Sequence, residues 1–137
     1  MNSNPIASAH AIRALIIDDD KFMLDLSHEM LKQLGINNIA KAKSSDEALR
    51  QIDGGAQKPN LLLVDLHMPQ TDGFQFMGQL SKRKYTGGVI VVSGQRAQVL
   101  QSAELMAQLY DLNILGSVEK PVNPLALAMA INKLKPE

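Results

Sequence analysis

The sequence predicts an α/β fold in which five parallel strands alternate with helices. Five short apolar runs occur along the chain, at 13–17, 38–43, 61–64, 89–92 and 114–118. Longer segments with helical spacing of apolar residues separate them. Three runs (ALII, LLLV and VIVV) are hydrophobic without interruption, which is typical of strands buried on both faces of a parallel sheet.

The run at 38–43 differs from the others because apolar and polar residues alternate along it. Alternation is expected of a strand with one accessible face, so this run predicts an edge strand. Before it, Phe22, Leu26, Met30 and Leu34 recur at helical spacing and predict the first helix, which Gly35 ends.

The second helix is predicted from its ends. Ser44 and Glu47 form a capping-box pattern, and the helix is expected to reach about Ile52 before the glycines at 54–55. The third helix follows Gly73 and carries a short apolar stripe. That stripe consists of Phe74, Met77 and Leu80.

The last two helices are predicted in the same way. A longer stripe follows the fourth strand and consists of Val99, Leu100, Ala103, Met106, Ala107 and Tyr110. Asn123 followed by Pro124 gives a cap and a first helical residue for the final helix. Its predicted apolar side consists of Leu127, Ala128, Ile131 and Leu134.

Together these elements predict (βα)₅ with right-handed crossovers, a flavodoxin-like, doubly wound parallel sheet of order 2-1-3-4-5. The length of 137 residues suits one domain. We expect residues 1–11 to be a flexible N-terminal segment and residues 12–137 to be that domain.

Composition narrows the functional classes. Lys plus Arg and Asp plus Glu both number 14, so nothing indicates direct nucleic-acid binding. Cysteine is absent, which excludes disulfides, thiolate zinc sites and a cysteine nucleophile. No run approaches the roughly 20 apolar residues that a membrane span needs. We therefore expect a soluble, cytoplasmic domain without a membrane partner.

Polar residues follow four of the apolar strands. The first strand is followed by the aspartates at 18–20, the third by Asp65, the fourth by Ser93 and the fifth by Lys120. Ligands in open α/β sheets bind beyond the carboxyl ends of the strands, so these side chains are expected to meet in one crevice.

This set of residues suits Mg²⁺-assisted phosphoryl transfer to an aspartate. Crowded carboxylates favour a hard dication, and Mg²⁺ is suited to one or two carboxylates plus phosphate oxygens. Lys120 supplies a point charge for a phosphoryl oxygen and Ser93 a hydroxyl donor. Three adjacent aspartates are more often a solvated loop or a helix cap, and Asp20 is predicted to be a cap.

The chain resembles a response-regulator receiver domain over about residues 12–135. The motifs that carry the resemblance are IIDDD at 16–20, VDLHMPQTDGF at 64–74, VVSG at 91–94 and EKPV at 119–122. The resemblance implies a phosphoacceptor rather than a metabolic enzyme. It also implies a sensor histidine kinase or phosphotransfer protein as donor, and an output domain, a target protein or a second copy as partner.

The resemblance also assigns roles to residues. It implies that Asp65 accepts the phosphoryl group and that Asp18, Asp19 and Asp65 bind Mg²⁺, with the backbone carbonyl of His67 as a further ligand. Ser93 matches the switch hydroxyl. Lys120 matches the family's lysine, with a cis peptide bond to the proline that follows.

One position departs from the family pattern. Ser117 stands where many receivers carry an aromatic residue, three places before the lysine. Either another side chain, with Tyr110 as a candidate, fills that role, or signalling uses the helix of the 99–110 stripe differently.

A weaker resemblance covers 93–122, which is similar to receivers fused to EAL-type cyclic-di-GMP phosphodiesterase domains. Any such activity would lie outside this chain. Three alternatives stay open: a degenerate receiver that docks partners without phosphorylation, a haloacid-dehalogenase-type phosphatase, and a flavodoxin-like cofactor binder. The DxDx[TV] strand end of that phosphatase class is missing, and carboxylates stand where a phosphate-binding loop needs glycines.

Overall fold

The computed structural model describes residues 9–55, 57–66, 73–94 and 110–134. Its core is one sheet of five parallel strands in the order β2-β1-β3-β4-β5, which confirms the predicted fold class. The strands are β1 (Arg13–Ile17), β2 (Asn38–Ala42), β3 (Leu61–Asp65), β4 (Gly88–Ser93) and β5 (Asn113–Glu119). As predicted, β2 is an edge strand.

The strand register aligns the ends of the central strands. Asp65 at the end of β3 pairs with Val92 of β4, and Ser93 pairs with Glu119 of β5. A register shift at Val89/Ile90 inserts one extra residue of β5 into this pair. Lys120 therefore follows immediately beyond the edge at which Asp65 and Ser93 lie.

Four α-helices cover the sheet within the described ranges. They are α1 (Lys21–Gln33), α2 (Ser45–Gly54), α3 (Gly73–Lys82) and α4 (Pro124–Ile131). The helix predicted from the stripe at 99–110 lies outside the described residues except for Tyr110. The final helix ends three residues before Leu134, which the predicted apolar side includes.

Side-chain caps fix the beginnings of three helices. Asp20 accepts the Phe22 N–H at 2.9 Å, as predicted for a cap of α1. Ser44 Oγ accepts the Glu47 N–H at 3.1 Å at the start of α2. The capping box is modified, because the Glu47 carboxylate accepts from the backbone N–H of Lys43 and not from that of Ser44.

The cap of α4 is also as predicted. Asn123 Oδ1 accepts the backbone N–H groups of both Leu125 and Ala126, at 2.8 and 3.1 Å. Pro124 occupies the first helical position, where its missing N–H costs nothing. This helix start lies close in sequence to Lys120, so the cap also anchors the loop after β5.

The core consists of two apolar layers, one on each face of the sheet. Helices α1 and α4 cover one layer, with Leu31 and Leu127 fully buried. Helices α2 and α3 cover the other, with Ala48 and Phe76 fully buried. Because successive residues of β1 point to opposite faces, both layers receive side chains from every central strand.

The predicted apolar stripe of α1 is wrong in part. Phe22 is 70% exposed, and the buried face consists of Leu24, Ser27 and Leu31 with Leu34 beyond the helix end. The sequence offers apolar residues on two sides of this helix. The side that faces the sheet is set by how the helix leaves the Asp20 cap, which spacing alone does not reveal.

The described chain begins with a 3₁₀ turn, Ala9–Ala11, inside the segment predicted to be flexible. Ala9 is 2% exposed and packs in the layer beneath α1 and α4. The division of the chain at residue 12 stays a prediction. Within the described ranges, no helix has both the length and the apolar composition to cross a membrane.

Candidate phosphoacceptor site

The carboxyl edge of the sheet brings together the polar residues that the sequence singles out. Asp18 directly follows β1, Asp65 ends β3, Ser93 ends β4 and Lys120 directly follows β5. Asp18 is 5% exposed, Asp65 is 3% exposed and Ser93 is completely buried. Two carboxylates at this depth need compensation, because burial penalises the charged form.

Lys120 supplies that compensation. Its Nζ lies 3.3 Å from Asp18 Oδ2 and 3.4 Å from Asp65 Oδ2. Burial of the ammonium lowers the pKa of Lys120, but the charges of Asp65 and then Asp18 outweigh this, so the net pKa is raised above its ordinary value. Lys120 is therefore a protonated, fixed charge between the two carboxylates.

Asp18 is held in place by the backbone around it. Its N–H donates to Ala42 O at the end of β2, at 3.1 Å. Its Oδ1 accepts the Asp20 N–H at 2.9 Å, while Oδ2 accepts from Lys120. Both carboxylate oxygens therefore have defined directions. A bond from an aspartate side chain to the backbone two residues on is a common role of aspartate in turns.

Asp18, Asp19 and Asp65 form a cluster of carboxylates. One oxygen from each lies within 4.8 Å of the others, and Asp19 is on the exposed side. Opposite ligands of an octahedral Mg²⁺ are about 4.2 Å apart, from ligand distances of roughly 2.1 Å. The three oxygens are therefore close enough together for these carboxylates to be candidate ligands of one ion.

The ends of β3, β4 and β5 are joined by backbone hydrogen bonds. Lys120 N–H donates to Ser93 O at 2.8 Å, and Leu66 N–H donates to Val92 O at 3.0 Å. The Lys120–Pro121 peptide bond is cis, as expected. Asp65, Ser93 and Lys120 thus lie on adjoining, hydrogen-bonded chain segments.

Two expectations lie outside the described residues. His67, the expected carbonyl ligand of Mg²⁺, is one, and its role stays a prediction. The other is the likeness of 93–122 to receivers fused to EAL domains, since residues 95–109 are not described. That likeness also stays a prediction.

Tyr110 is the candidate for the aromatic position left by Ser117. Its ring lies against Gly78 of α3, and its backbone oxygen accepts a hydrogen bond from Ser81 Oγ at 2.9 Å. These contacts place Tyr110 near the end of α3 and just before β5 begins, whereas Ser93 ends β4. The role of Tyr110 at the position left by Ser117 stays a prediction.

The sequence matches the family model of the response regulator receiver domain over residues 14–132. The chain belongs to this family. Receiver domains are phosphoacceptors and not classical enzymes, and they bind Mg²⁺ in an acidic pocket. They interact with histidine kinases and output domains. This receiver has an acidic cluster of Asp18, Asp19 and Asp65 at the carboxyl edge of its sheet.

Similar proteins include both short and long members. CheY, a chemotaxis protein of Thermotoga maritima, is 26% identical over 124 residues, which cover 89% of this chain and 96% of CheY. The transcriptional regulatory protein GlnL of Bacillus subtilis is 24% identical over 90% of this chain, but this receiver spans only 38% of GlnL. A receiver domain structure from Clostridium thermocellum matches with a TM-score of 0.75 and 26% identity, covering 89% of this chain and 92% of that one.

Proposed function

We propose that this receiver accepts a phosphoryl group on Asp65 from a phosphohistidine of a sensor kinase or phosphotransfer protein. The observation that supports this most strongly is the position of Lys120, whose Nζ contacts both Asp65 and Asp18. The ammonium group of Lys120 lies between two buried carboxylates. It is therefore positioned to bind an oxygen of a phosphoryl group attached to Asp65. The residues from 12 to 137 are the proposed functional unit.

In the proposed reaction, a carboxylate oxygen of Asp65 attacks phosphorus. The new bond joins that oxygen to phosphorus, the bond from phosphorus to the donor imidazole nitrogen breaks, and the imidazole leaves with its electron pair and takes up a proton. Little covalent chemistry falls to the protein, so positioning and charge stabilisation dominate. When bound, Mg²⁺ supplies positive charge beside the acceptor carboxylate and the transferred group.

Each site residue has a proposed part in this reaction. Asp18, Asp19 and Asp65 would hold Mg²⁺, with the backbone carbonyl of His67 as a further ligand. Asp18 is directed by its bond from the Asp20 N–H. Lys120 contacts Asp65 and would bind a phosphoryl oxygen, and the Ser93 hydroxyl would donate to another.

Phosphorylation would then change the surface of the domain. A phosphorylated side chain carries about −1.5 to −2 charges at neutral pH, so the site around Lys120 would become more negative than with the Asp65 carboxylate alone. Ser93 and Lys120 would move toward the group and bias β5, α4 and the preceding segment. The recipient of that signal is proposed to be an output domain, a target protein or a second copy, in the cytoplasm.

The test is the formation of a covalent adduct. Incubation with Mg²⁺ and acetyl phosphate should add one phosphoryl group by intact-mass spectrometry, and Asp65→Asn should abolish it. Asp25→Asn is the matched control, because Asp25 is an exposed carboxylate of α1 paired with Lys41. Absence of an adduct in the wild-type protein would favour a receiver that docks partners without phosphorylation.

A further inference from the structure

A cleft of about 640 Å³ lies at the amino edge of the sheet, at the opposite end from Asp65. Its lining includes Arg13 and Asn113, which begin β1 and β5, and Asn60 and Gly87, which directly precede β3 and β4. Cavities that bind small molecules in proteins span roughly 300 to 1,000 Å³. The cleft is therefore large enough for a ligand and independent of the phosphoacceptor site.

The walls of the cleft are held by hydrogen bonds between separate chain segments. Asn60 Oδ1 accepts the Arg13 N–H at 2.7 Å, and Asn60 Nδ2 donates to Ala11 O at 3.1 Å. Arg13 Nε donates to Lys58 O at 2.8 Å. Asn60 is buried and joins its own segment to residues 11–13, so the shape of this wall is set before any ligand arrives.

Tyr85 and Gly87 adjoin that wall. The Tyr85 hydroxyl donates to Pro59 O at 3.0 Å and holds the ring in place. A Cβ at Gly87 would meet that ring and would lie 2.8 Å from Asn60 O. Because only glycine fits beside the ring, this side of the cleft is formed by backbone and aromatic surface.

The charge of the lining is positive. Asp53 is the only carboxylate among the described lining residues. The Arg83 guanidinium donates two hydrogen bonds to it, of 2.8 and 3.0 Å. The hydrogen bond from Arg83, with a smaller contribution from the charge of Lys58, lowers the pKa of Asp53. Lys58, Lys84 and Arg13 add further positive charge to the lining.

Helix ends explain only part of this charge. Cations commonly complement the partial negative charge at helix C-termini, about −0.5 for each helix. Arg83 fits this explanation, since its Nη1 donates to Gln79 O of α3 at 3.3 Å, and Lys84 follows the same helix. Lys58 and Arg13 lie in a loop and at the start of a strand, so this explanation does not cover them.

The cleft also has an apolar side, which includes Ile52, Pro59 and Leu134. Asn113 and Thr86 add neutral hydrogen-bonding groups to the lining. A simple inorganic anion would use the lysines but not this surface. A ligand that combines phosphate groups with a planar ring would use both.

We propose that this cleft is a second site of the molecule that binds a nucleotide. The phosphates would lie near Lys58 and Lys84, and the base would lie against Pro59 and Leu134. The amino edge would thus hold a small-molecule site separated from Asp65 by the full length of the strands. Occupation of the cleft needs neither Mg²⁺ nor Asp65.

Calorimetric titration tests this site with ADP as the probe, in buffer with EDTA and at moderate salt, using the Asp65→Asn protein. We expect saturable binding with a Kd below about 1 mM. The double variant Lys58→Ala/Lys84→Ala should weaken it roughly tenfold or more. The charge-matched control is Lys21→Ala/Lys32→Ala, which removes two exposed lysines of α1 and should leave the Kd unchanged.

Three results would overturn the proposal. They are no saturable ADP binding, an affinity that the Lys58/Lys84 variant leaves unchanged, and equal weakening in the α1 control. Titrations with pyrophosphate and adenosine test the ligand class, since both should bind more weakly than ADP. Pyrophosphate binding as tightly as ADP would contradict a role for the apolar side.

Discussion

The Nζ atom of Lys120 lies 3.4 Å from Oδ2 of Asp65 at the carboxyl edge of the sheet. Asp65 is almost completely buried, and the Lys120 side chain is 23% exposed. The same ammonium contacts Asp18, so one positive charge serves two carboxylates, with Asp19 nearby. This arrangement leaves an excess of negative charge, which favours a cation and costs stability when no cation is bound.

Mg²⁺ is therefore expected to stabilise the protein. At ten times its Kd, a ligand that binds only the folded state adds about 1.4 kcal/mol to the free energy of unfolding. Asp19→Asn should reduce this gain by lowering the affinity for Mg²⁺. In EDTA the same variant should be at least as stable as the wild type, because one of three clustered carboxylates is neutralised.

Calorimetry measures the stabilisation by Mg²⁺ as the change in thermal unfolding between protein without Mg²⁺ and protein at Mg²⁺ concentrations that differ tenfold. Asp25→Asn serves as the control and should keep the full wild-type gain. A stabilisation by Mg²⁺ that is equal in wild type and Asp19→Asn would contradict the assignment of Asp19 as a ligand.

Lys120→Met is expected to destabilise the protein at neutral pH. The substitution keeps an unbranched side chain of similar length but leaves Asp18 and Asp65 buried without their cation. Breaking a fully buried ion pair costs about 3–5 kcal/mol, and partial exposure of Lys120 reduces this to about 2 kcal/mol. Urea unfolding measures the difference, and Lys41→Met on an exposed pair is the control.

The pH dependence of that difference follows from the raised pKa of Lys120. A pKa that is higher in the folded state contributes stability that is fully present below the ordinary value of 10.5. The contribution is lost as the pH rises through the folded pKa. The stability gap between wild type and Lys120→Met should thus be constant from pH 7 to pH 10 and shrink above pH 10.5. A gap that stays constant to pH 11.5 would refute the charge-based explanation.

Gly88→Ala tests the packing where β4 begins. A Cβ at this position would lie 2.5 Å from Leu115 Cδ1 and 2.9 Å from Leu134 Cδ1. Overpacking of this kind costs about 1–3 kcal/mol, because both leucines must move. Gly54→Ala is the matched control, since nothing lies within 4 Å of its added Cβ. Equal stabilities of the two variants would show that the leucines adapt freely.

The strands of the sheet were predicted closely because parallel strands that are buried on both faces consist of continuous apolar residues. The apolar run at 61–64 became β3, and the run at 89–92 became β4 with one more residue at each end. Caps were equally readable, as Asp20 and Asn123 show. Each of these features depends on neighbours in sequence, and local chemistry determines them.

Features that depend on distant residues could not be predicted in the same way. The sequence placed Asp18, Asp65 and Lys120 at one edge, but the contact of Lys120 with both carboxylates depends on the packing of three strands. The packing of the Tyr110 ring against Gly78 of α3 likewise depends on residues that are distant in the sequence. The hydrogen bonds of Asn60 across the amino edge have no sequence signature.

The Asn123 cap supports both α4 and the loop that carries Lys120. Its Oδ1 accepts two backbone N–H groups, so Asn123→Ala leaves both without their partner and should lower the free energy of unfolding by about 1 kcal/mol. Asn123→Ser should restore most of the loss, because a serine hydroxyl also caps helices well. Urea unfolding measures both variants beside Asn37→Ala, an exposed asparagine before β2. If the alanine and serine variants were equally destabilised, the loss would come from the loop and not from the cap.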